Sequence, residues 1–190
     1  MKNSFRYLMI AAILCVGVSA TANAAMSYGV NAGANWSTFS GTPSDQTEAK
    51  VGFQFGGVLA QPMSDTLTME YGLQYVQKGS KVKGVDATTS VDYIQVPVLA
   101  KFAVMKNATL SVGGSLGFVV NAKSKFNGVE TDAKDRIQST ELSLLFGGSY
   151  QFTKNIEAGI QYNWGLTNLS KTDSKGLQNR GLTVSGTYLF

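Results

Sequence analysis

The feature that most constrains this chain is an alternation of apolar and polar residues, which continues from Ala25 to the last residue. Eight runs repeat with a period of two, and none repeats with the period of a helix. Successive side chains of a β-strand point to opposite faces of the sheet, so each run predicts a strand with one apolar face. The apolar faces extend over Tyr28–Trp36, Val51–Leu59, Leu67–Tyr75, Ile94–Phe102, Leu110–Val120, Leu142–Phe152, Ile156–Trp164 and Leu182–Phe190.

The connections between the runs alternate strictly between long and short. In an antiparallel up-and-down arrangement, the long loops then lie at one end and the short turns at the other, together with both termini. This is the plan of an outer-membrane barrel. The long connections are residues 38–49, 79–90, 123–139 and 167–179, and the short ones are residues 61–66, 105–109 and 153–155.

The polar faces of the runs distinguish a membrane barrel from a water-soluble one. They carry Gly, Ser, Thr, Asn and Gln with few charges, as in Gly52, Gln54 and Gly56. A water-soluble barrel would instead expose a face rich in Lys and Glu. Small uncharged side chains suit a crowded interior, and an apolar outer face suits lipid. The sequence therefore predicts an all-β fold, an eight-stranded antiparallel up-and-down transmembrane β-barrel.

An enzyme is disfavoured because the chain has no His. His is the usual general base, the usual partner of a nucleophile and a common zinc ligand. We expect no catalytic residue, no cofactor and no metal site.

The formal net charge of +4 includes Lys2 and Arg6. The positive and negative charges of the remaining chain nearly balance, so the sequence predicts no nucleic-acid partner.

Residues 1–24 have the features of a cleaved signal peptide. Lys2 and Arg6 precede an apolar run, and Ala22-Asn23-Ala24 supplies the small residues that signal peptidase recognises. The sole cysteine, Cys15, lies within this segment. We therefore expect export, cleavage after Ala24 and a barrel domain over residues 25–190 in the bacterial outer membrane.

Aromatic residues are predicted to form two girdles at the membrane interfaces. The last residue of the sequence, Phe190, shares a face with Tyr188, and this pair resembles the C-terminal assembly signal of bacterial outer-membrane proteins. The expected partners are outer-membrane lipid and the barrel assembly machinery. The predicted girdle residues are Trp36, Tyr75, Tyr93 and Trp164 at the long-loop end, and Phe102, Tyr150, Phe152 and Tyr188 at the short-turn end.

Three charged residues are candidates for a specific contact inside the barrel. Glu70 and Lys101 each lie about four residues from a short turn on neighbouring strands, so both should enter the lumen at similar height. Glu157 begins the seventh run at the same end. An unpaired charge in a narrow lumen is costly, so we expect Lys101 to neutralise Glu70, with Glu157 as a second candidate. The alternative is that strand stagger separates the three and water solvates each.

Pro97 lies within the fourth run on its polar side. Proline has no backbone N–H to donate to a neighbouring strand. We expect Pro97 to mark a β-bulge or a local kink.

Six segments carry a resemblance to a known family. They are Gly29–Ser37, Gly52–Gly56, Tyr71–Gly79, Tyr93–Phe102, Tyr162–Asn168 and Asn179–Leu182. These segments resemble the PorT-type outer-membrane β-barrel family of Bacteroidetes. The resemblance implies an eight-stranded barrel in the outer membrane, and some members of that family assist protein secretion. Gln95 departs from the pattern, which usually has Glu there, so an ionic role at this position is in doubt.

Two functional classes remain after an enzyme is disfavoured. The first is a structural or interaction module of the cell envelope, which binds an unidentified envelope protein and assists secretion or assembly. The second is a narrow channel or a small-ligand-binding barrel. Eight strands enclose a lumen that side chains alone can fill, so the sequence favours the interaction module.

Overall fold

The structure is a computed structural model that describes residues 26–40, 47–134, 137–169 and 177–190. The predicted signal peptide lies outside these residues. The described residues form nine β-strands, and among them no helix is long and apolar enough to cross a membrane. The strands are β1 (Ser27–Ser40), β2 (Thr47–Pro62), β3 (Leu67–Val82), β4 (Ala87–Met105), β5 (Ala108–Phe126), β6 (Val129–Asp132), β7 (Thr140–Gln151), β8 (Ile156–Gly165) and β9 (Gln178–Leu189).

Eight of the nine strands close into a barrel. Their order is β4-β3-β2-β1-β9-β8-β7-β5, and β4 also pairs with β5, which completes the ring. Every pairing is antiparallel. The structure therefore confirms the predicted eight-stranded antiparallel barrel. The short strand β6 was not predicted; it folds back onto the end of β5.

The two faces of the barrel differ in polarity as the alternation predicts. Large apolar side chains such as Val30, Phe55 and Leu110 are exposed on the outer face, whereas Asn31 and Gln54 are buried inside. A water-soluble protein shows the opposite arrangement, because it buries its apolar side chains in a core. An apolar exterior around a polar interior is typical of a barrel that lies in lipid.

Strands β3, β4 and β5 each extend four residues into the predicted long loops. The predicted loop 79–90 shrinks to residues 83–86, because β3 continues to Val82 and β4 begins at Ala87. The added residues Thr88 and Thr89 form strands readily but do not alternate with apolar residues. The ends of β3, β4 and β5, together with β6, form an extended sheet that we call the wall. It consists of residues 79–82, 87–91, 122–126 and 129–132.

Apolar residues form a buried cluster at the long-loop end of the lumen, which we call the cap. It joins strand ends to loop residues, and a backbone hydrogen bond of 2.8 Å from Gln138 N to Leu169 O connects two of the loops. Ile137 and Leu177 pack against its edge. The polar interior of the barrel is thus covered by an apolar layer. The cap consists of Phe39, Val91, Tyr93, Val119, Ala122, Ala133 and Leu169.

Pro97 does not produce the predicted bulge. The register of β3 against β4 is the same on both sides of Pro97, where the ladder lacks two successive pairs, Gly72 with Pro97 and Leu73 with Val96. A Cβ atom on Gly72 would lie 2.7 Å from Cγ of Pro97. Because Gly72 has no side chain, the proline ring fits between the strands without an inserted residue.

Two adjacent glycines of β5 provide a test of how tightly the interior is packed. A Cβ atom on Gly113 would lie 2.0 Å from the carbonyl oxygen of Val98, whereas on Gly114 the nearest atom is the carbonyl oxygen of Ser143 at 3.4 Å. We expect Gly113→Ala to lower the free energy of unfolding by about 1–3 kcal/mol, because backbone must move to admit the methyl group. The free energy of unfolding is measured by urea titration in lipid vesicles.

Gly114→Ala is the matched control for this experiment. It adds the same methyl group one residue away, where the nearest atom lies at an ordinary van der Waals distance of 3.4 Å, so we expect a change smaller than about 0.5 kcal/mol. Equal destabilisation by the two substitutions would contradict the assignment of Gly113 to the crowded inner face.

Candidate functional site

The structure brings the three predicted luminal residues together at the short-turn end. Lys101 Nζ lies 3.0 Å from Glu70 Oε2 and 2.5 Å from Glu157 Oε1. Glu70 and Lys101 lie on the neighbouring strands β3 and β4, and Glu157 lies on β8. Lys101 therefore connects β4 to β8, a strand with which β4 does not pair. We call these three residues the short-turn cluster.

The short-turn cluster is nearly buried and carries one excess negative charge. The side chains of Lys101, Glu70 and Glu157 are 10%, 14% and 14% exposed. A cavity of about 50 Å³ lies beside them, lined also by Asn31 and Thr187. This space is large enough for water. Pairing with Lys101, together with this polar surrounding, offsets the cost of placing two carboxylates in the lumen.

A second ionic cluster lies nearer the cap and was not predicted. Lys78 Nζ lies 2.6 Å from Glu141 Oε1, with both side chains almost fully buried. Ser143 Oγ donates to Glu141 Oε1 at 2.9 Å, and Asn179 Nδ2 donates to Glu141 Oε2 at 3.3 Å. Lys78 Nζ also lies 5.1 Å from the ring centroid of Tyr93, within the range of a cation–π interaction. We call this set of residues the long-loop cluster.

Side-chain alternation alone would have placed Lys78 and Glu141 in the lumen. Lys78 has the same parity as Glu70 on β3, and Glu141 alternates with the outward-facing Leu142. The sequence prediction missed them because its third apolar run ended at Tyr75 and its sixth began at Leu142. Lys78 and Glu141 therefore lie between the predicted runs and the predicted loops.

The structure places most of the predicted girdle residues on the outer face. Tyr75 is half-buried there and packs against the rings of Phe53 and Phe55, with centroid distances of 5.7 and 5.4 Å. The exposed ones are Trp36, Trp164, Phe102, Tyr150, Phe152 and Tyr188.

Tyr93 contradicts the predicted girdle. Its side chain is fully buried in the cap. Tyr93 is an even number of residues from Gln95 and Lys101 on β4, so its side chain shares their inward face, whereas Ile94 lies on the outward face. The prediction for Tyr93 was wrong because it followed the residue type and ignored the alternation.

The two residues of the predicted assembly signal contact each other on the outer face. The rings of Tyr188 and Phe190 lie 5.2 Å apart, and Phe190 stacks on Tyr28 of β1 at 5.5 Å. These contacts locate the pair beside the pairing of β1 with β9. A role in assembly stays a prediction.

The lumen contains little free space among the described residues. Two cavities within it measure about 20 and 50 Å³, and Gln54, Gln74, Pro97 and Gln161 line both of them. Pockets for small molecules usually measure about 300–1,000 Å³, so these cavities suit water and not a larger solute. The arrangement can stabilise the barrel, but it does not form an open path.

Comparison with known proteins supports the architecture. The family described as "Outer membrane protein beta-barrel domain" matches residues 19–171. No curated protein matches the sequence.

Two solved structures illustrate the shared fold. The crystal structure of Neisserial surface protein A (NspA) is 18% identical with a TM-score of 0.60; the match covers 88% of this chain and all of that one. The crystal structure of Ail, the attachment invasion locus protein of Yersinia pestis, is 14% identical with a TM-score of 0.54; the match covers 86% and 98% of the two chains. At these identities the likeness shows the fold alone.

The short-turn cluster gives a prediction about stability. Lys101→Met would leave two nearly buried carboxylates without their cation, so we expect the free energy of unfolding to fall by about 3 kcal/mol. Adding Glu70→Gln and Glu157→Gln should restore part of this loss, because no unpaired charge then remains. Urea titration in lipid vesicles measures the unmodified protein and both variants.

The control is an exposed ion pair of the same chemistry. Lys123 Nζ lies 3.1 Å from Glu130 Oε2, and both side chains are more than half exposed. Lys123→Met should cost less than about 1 kcal/mol, because water screens such pairs. If Lys101→Met proved as mild as Lys123→Met, the short-turn cluster would have no special role in the lumen.

Proposed function

We propose that this chain, which belongs to the outer membrane protein β-barrel domain family, is a non-enzymatic structural and interaction module of the bacterial cell envelope. The observation that carries the proposal is the filled and capped lumen. A barrel that offers solutes no open path acts through its surfaces, and its long loops and wall are the parts that extend beyond the lipid.

Two features of the lumen support a module over a channel. The short-turn and long-loop clusters place charged side chains across the interior, and the cap covers them at the long-loop end. Eight-stranded barrels are narrow enough for side chains to fill. The luminal space is therefore occupied by the protein itself.

The state of the luminal carboxylates supports a non-enzymatic role. Lys101 engages Glu70 and Glu157, and Lys78 engages Glu141. A general acid or base has to exchange its proton with a substrate, and these carboxylates are held in ion pairs instead. The absence of His from the sequence removes the most common alternative.

The finer role that we propose is assistance to secretion or assembly through contact with another envelope protein. It is supported by the resemblance to PorT-type sequences, some of which belong to proteins that assist secretion. We also propose that residues 1–24 direct export and are removed, and that the barrel assembly machinery inserts the protein through Tyr188 and Phe190.

A narrow channel is the alternative function. The two luminal cavities share four lining residues, so they lie next to each other in the barrel. This arrangement favours a channel only if the cap opens.

Conductance measurements distinguish the module from the channel. Purified protein is inserted into planar bilayers, and a general porin in the same bilayers serves as the positive control. We expect no resolvable current steps, because the luminal cavities admit water but no hydrated ion. Steady, reproducible steps from this protein would favour the channel instead.

Capture of a partner tests the interaction role. Photo-crosslinking residues at the exposed positions Lys83 and Lys125 would be activated in intact cells. We expect one specific envelope protein to be cross-linked from these two positions. A cross-linking residue at Leu144, on the lipid-facing side, is the control and should not capture that protein. Repeated failure to capture any specific neighbour would contradict the proposal.

A further inference from the structure

The wall ends in an open strand edge. The strand order runs around the closed ring and terminates at β6, which pairs with β5 alone. All four residues of β6 are exposed. Among the described residues, this is the one strand that lies outside the closed ring. An exposed edge of this kind presents backbone groups that another strand can bind.

The turn before β6 determines which backbone groups face outward. Asn127 and Gly128 have φ angles of 48° and 84°, as in the type I′ turn of a two-residue hairpin. In such a hairpin the flanking pair, Phe126 and Val129, is hydrogen-bonded, and hydrogen-bonded pairs then recur at every second residue. Ala133 N donates to Ala122 O at 3.0 Å, which fits this spacing.

The N–H and C=O groups of Glu130 and Asp132 therefore point away from β5. Those of Val129 and Thr131 are used within the hairpin. Within the described ranges, no backbone hydrogen bond satisfies the outward groups of Glu130 and Asp132. The edge thus offers two donors and two acceptors, spaced as a docking strand requires.

Exposed apolar side chains adjoin this edge. Phe126 and Val129 are 57% and 67% exposed, and Val85 is 46% exposed on the neighbouring hairpin. Asn127 N donates to Asp86 O at 2.9 Å, which holds the two hairpin tips together. The segments 41–46, 135–136 and 170–176 contain no apolar residue other than Pro43, so they offer no large apolar side chain to cover these tips.

Charge determines which kind of strand fits. β6 carries Glu130 and Asp132, which the register places opposite Lys125 and Lys123 of β5, and Lys123 Nζ pairs with Glu130. A second copy of β6 would bring the same carboxylates onto the same edge, and like charges on paired strands destabilise the pairing. A strand with Lys or Arg would instead complement them.

We propose that β6 is a docking edge for an extended, cationic segment of another protein, which adds to the wall as a further strand. The segment would bond to the backbone of Glu130 and Asp132 and place apolar side chains beside Val129. This proposal rests on the proposed function as an interaction module and names the surface and the class of partner.

Amide hydrogen exchange on the full-length barrel in a nonionic detergent tests the docking edge. The probe is a synthetic hexapeptide in which Val and Lys alternate, and the control peptide carries Glu in place of Lys. We expect the Val-Lys peptide to slow exchange at the amides of Glu130 and Asp132 by about tenfold or more, because these amides become hydrogen-bonded. The Val-Glu peptide should leave them unchanged.

Two substitutions at one position separate the backbone contribution from that of the side chain. Glu130→Pro removes an outward N–H without removing a bond to β5, because proline is tolerated on a free edge. We expect it to weaken binding of the Val-Lys peptide by about tenfold, whereas Glu130→Ala, which keeps the N–H, should weaken binding less than about threefold. Asp132→Pro is a second variant of the same kind, should Glu130→Pro disturb the hairpin.

Three results would overturn the docking edge. One is slow exchange at Glu130 and Asp132 before any peptide is added, since a second copy or the chain itself would then cover the edge. Another is equal binding of the two peptides, and the third is unchanged binding after either proline substitution. Current steps in a bilayer would count against the proposed function alone, because they report on the lumen and not on β6.

Discussion

The structure depends on one requirement of a lipid environment, which is that every backbone polar group within it must be hydrogen-bonded inside the protein. Eight antiparallel strands meet this requirement only when the ring is closed, and the pairing of β4 with β5 closes it. The same environment explains the inverted polarity, because apolar side chains such as Val30 and Leu110 then face acyl chains. Small polar residues and paired charges, which are costly to place in lipid, lie in the interior instead.

The two ionic clusters show how the interior accommodates charge. Lys101 serves two carboxylates beside a cavity, and Lys78 serves one carboxylate that also accepts from Ser143 and Asn179. Both clusters connect strands three places apart in the ring of eight, so they reach across the lumen. Together with the cap, they fill most of the lumen of the barrel. This is the physical basis for proposing an interaction module.

The sequence predicted the membrane-spanning part well because lipid imposes a regular pattern there. Alternation identified eight strands and placed Glu70 and Lys101 on the inner face, where the structure has them in contact. Beyond the lipid no such pattern is imposed, so the sequence predicted a loop where Thr88 and Thr89 lie in a strand of the wall. Lys78 and Glu141 were missed because they lie where the predicted strands ended.

Other differences have separate causes. Tyr93 was assigned to the girdle by its residue type, although its position in the alternation places it on the inward face. The strand β6 had a usable signal, since Asn127-Gly128 between Phe126 and Val129 is typical of a hairpin turn. The cap was not predictable from local pattern, because it joins residues as distant as Phe39 and Leu169.

The most direct test of the account uses two adjacent leucines of β7. Leu144 is 38% exposed on the outer face, whereas Leu145 is 1% exposed in the interior. Single cysteines at these positions, in the chain without Cys15, would be treated with a thiol-reactive fluorophore in vesicles that contain brominated lipid. The account predicts labelling and strong quenching at position 144 and little labelling at position 145. Equal quenching at both positions, or quenching at 145 alone, would contradict it.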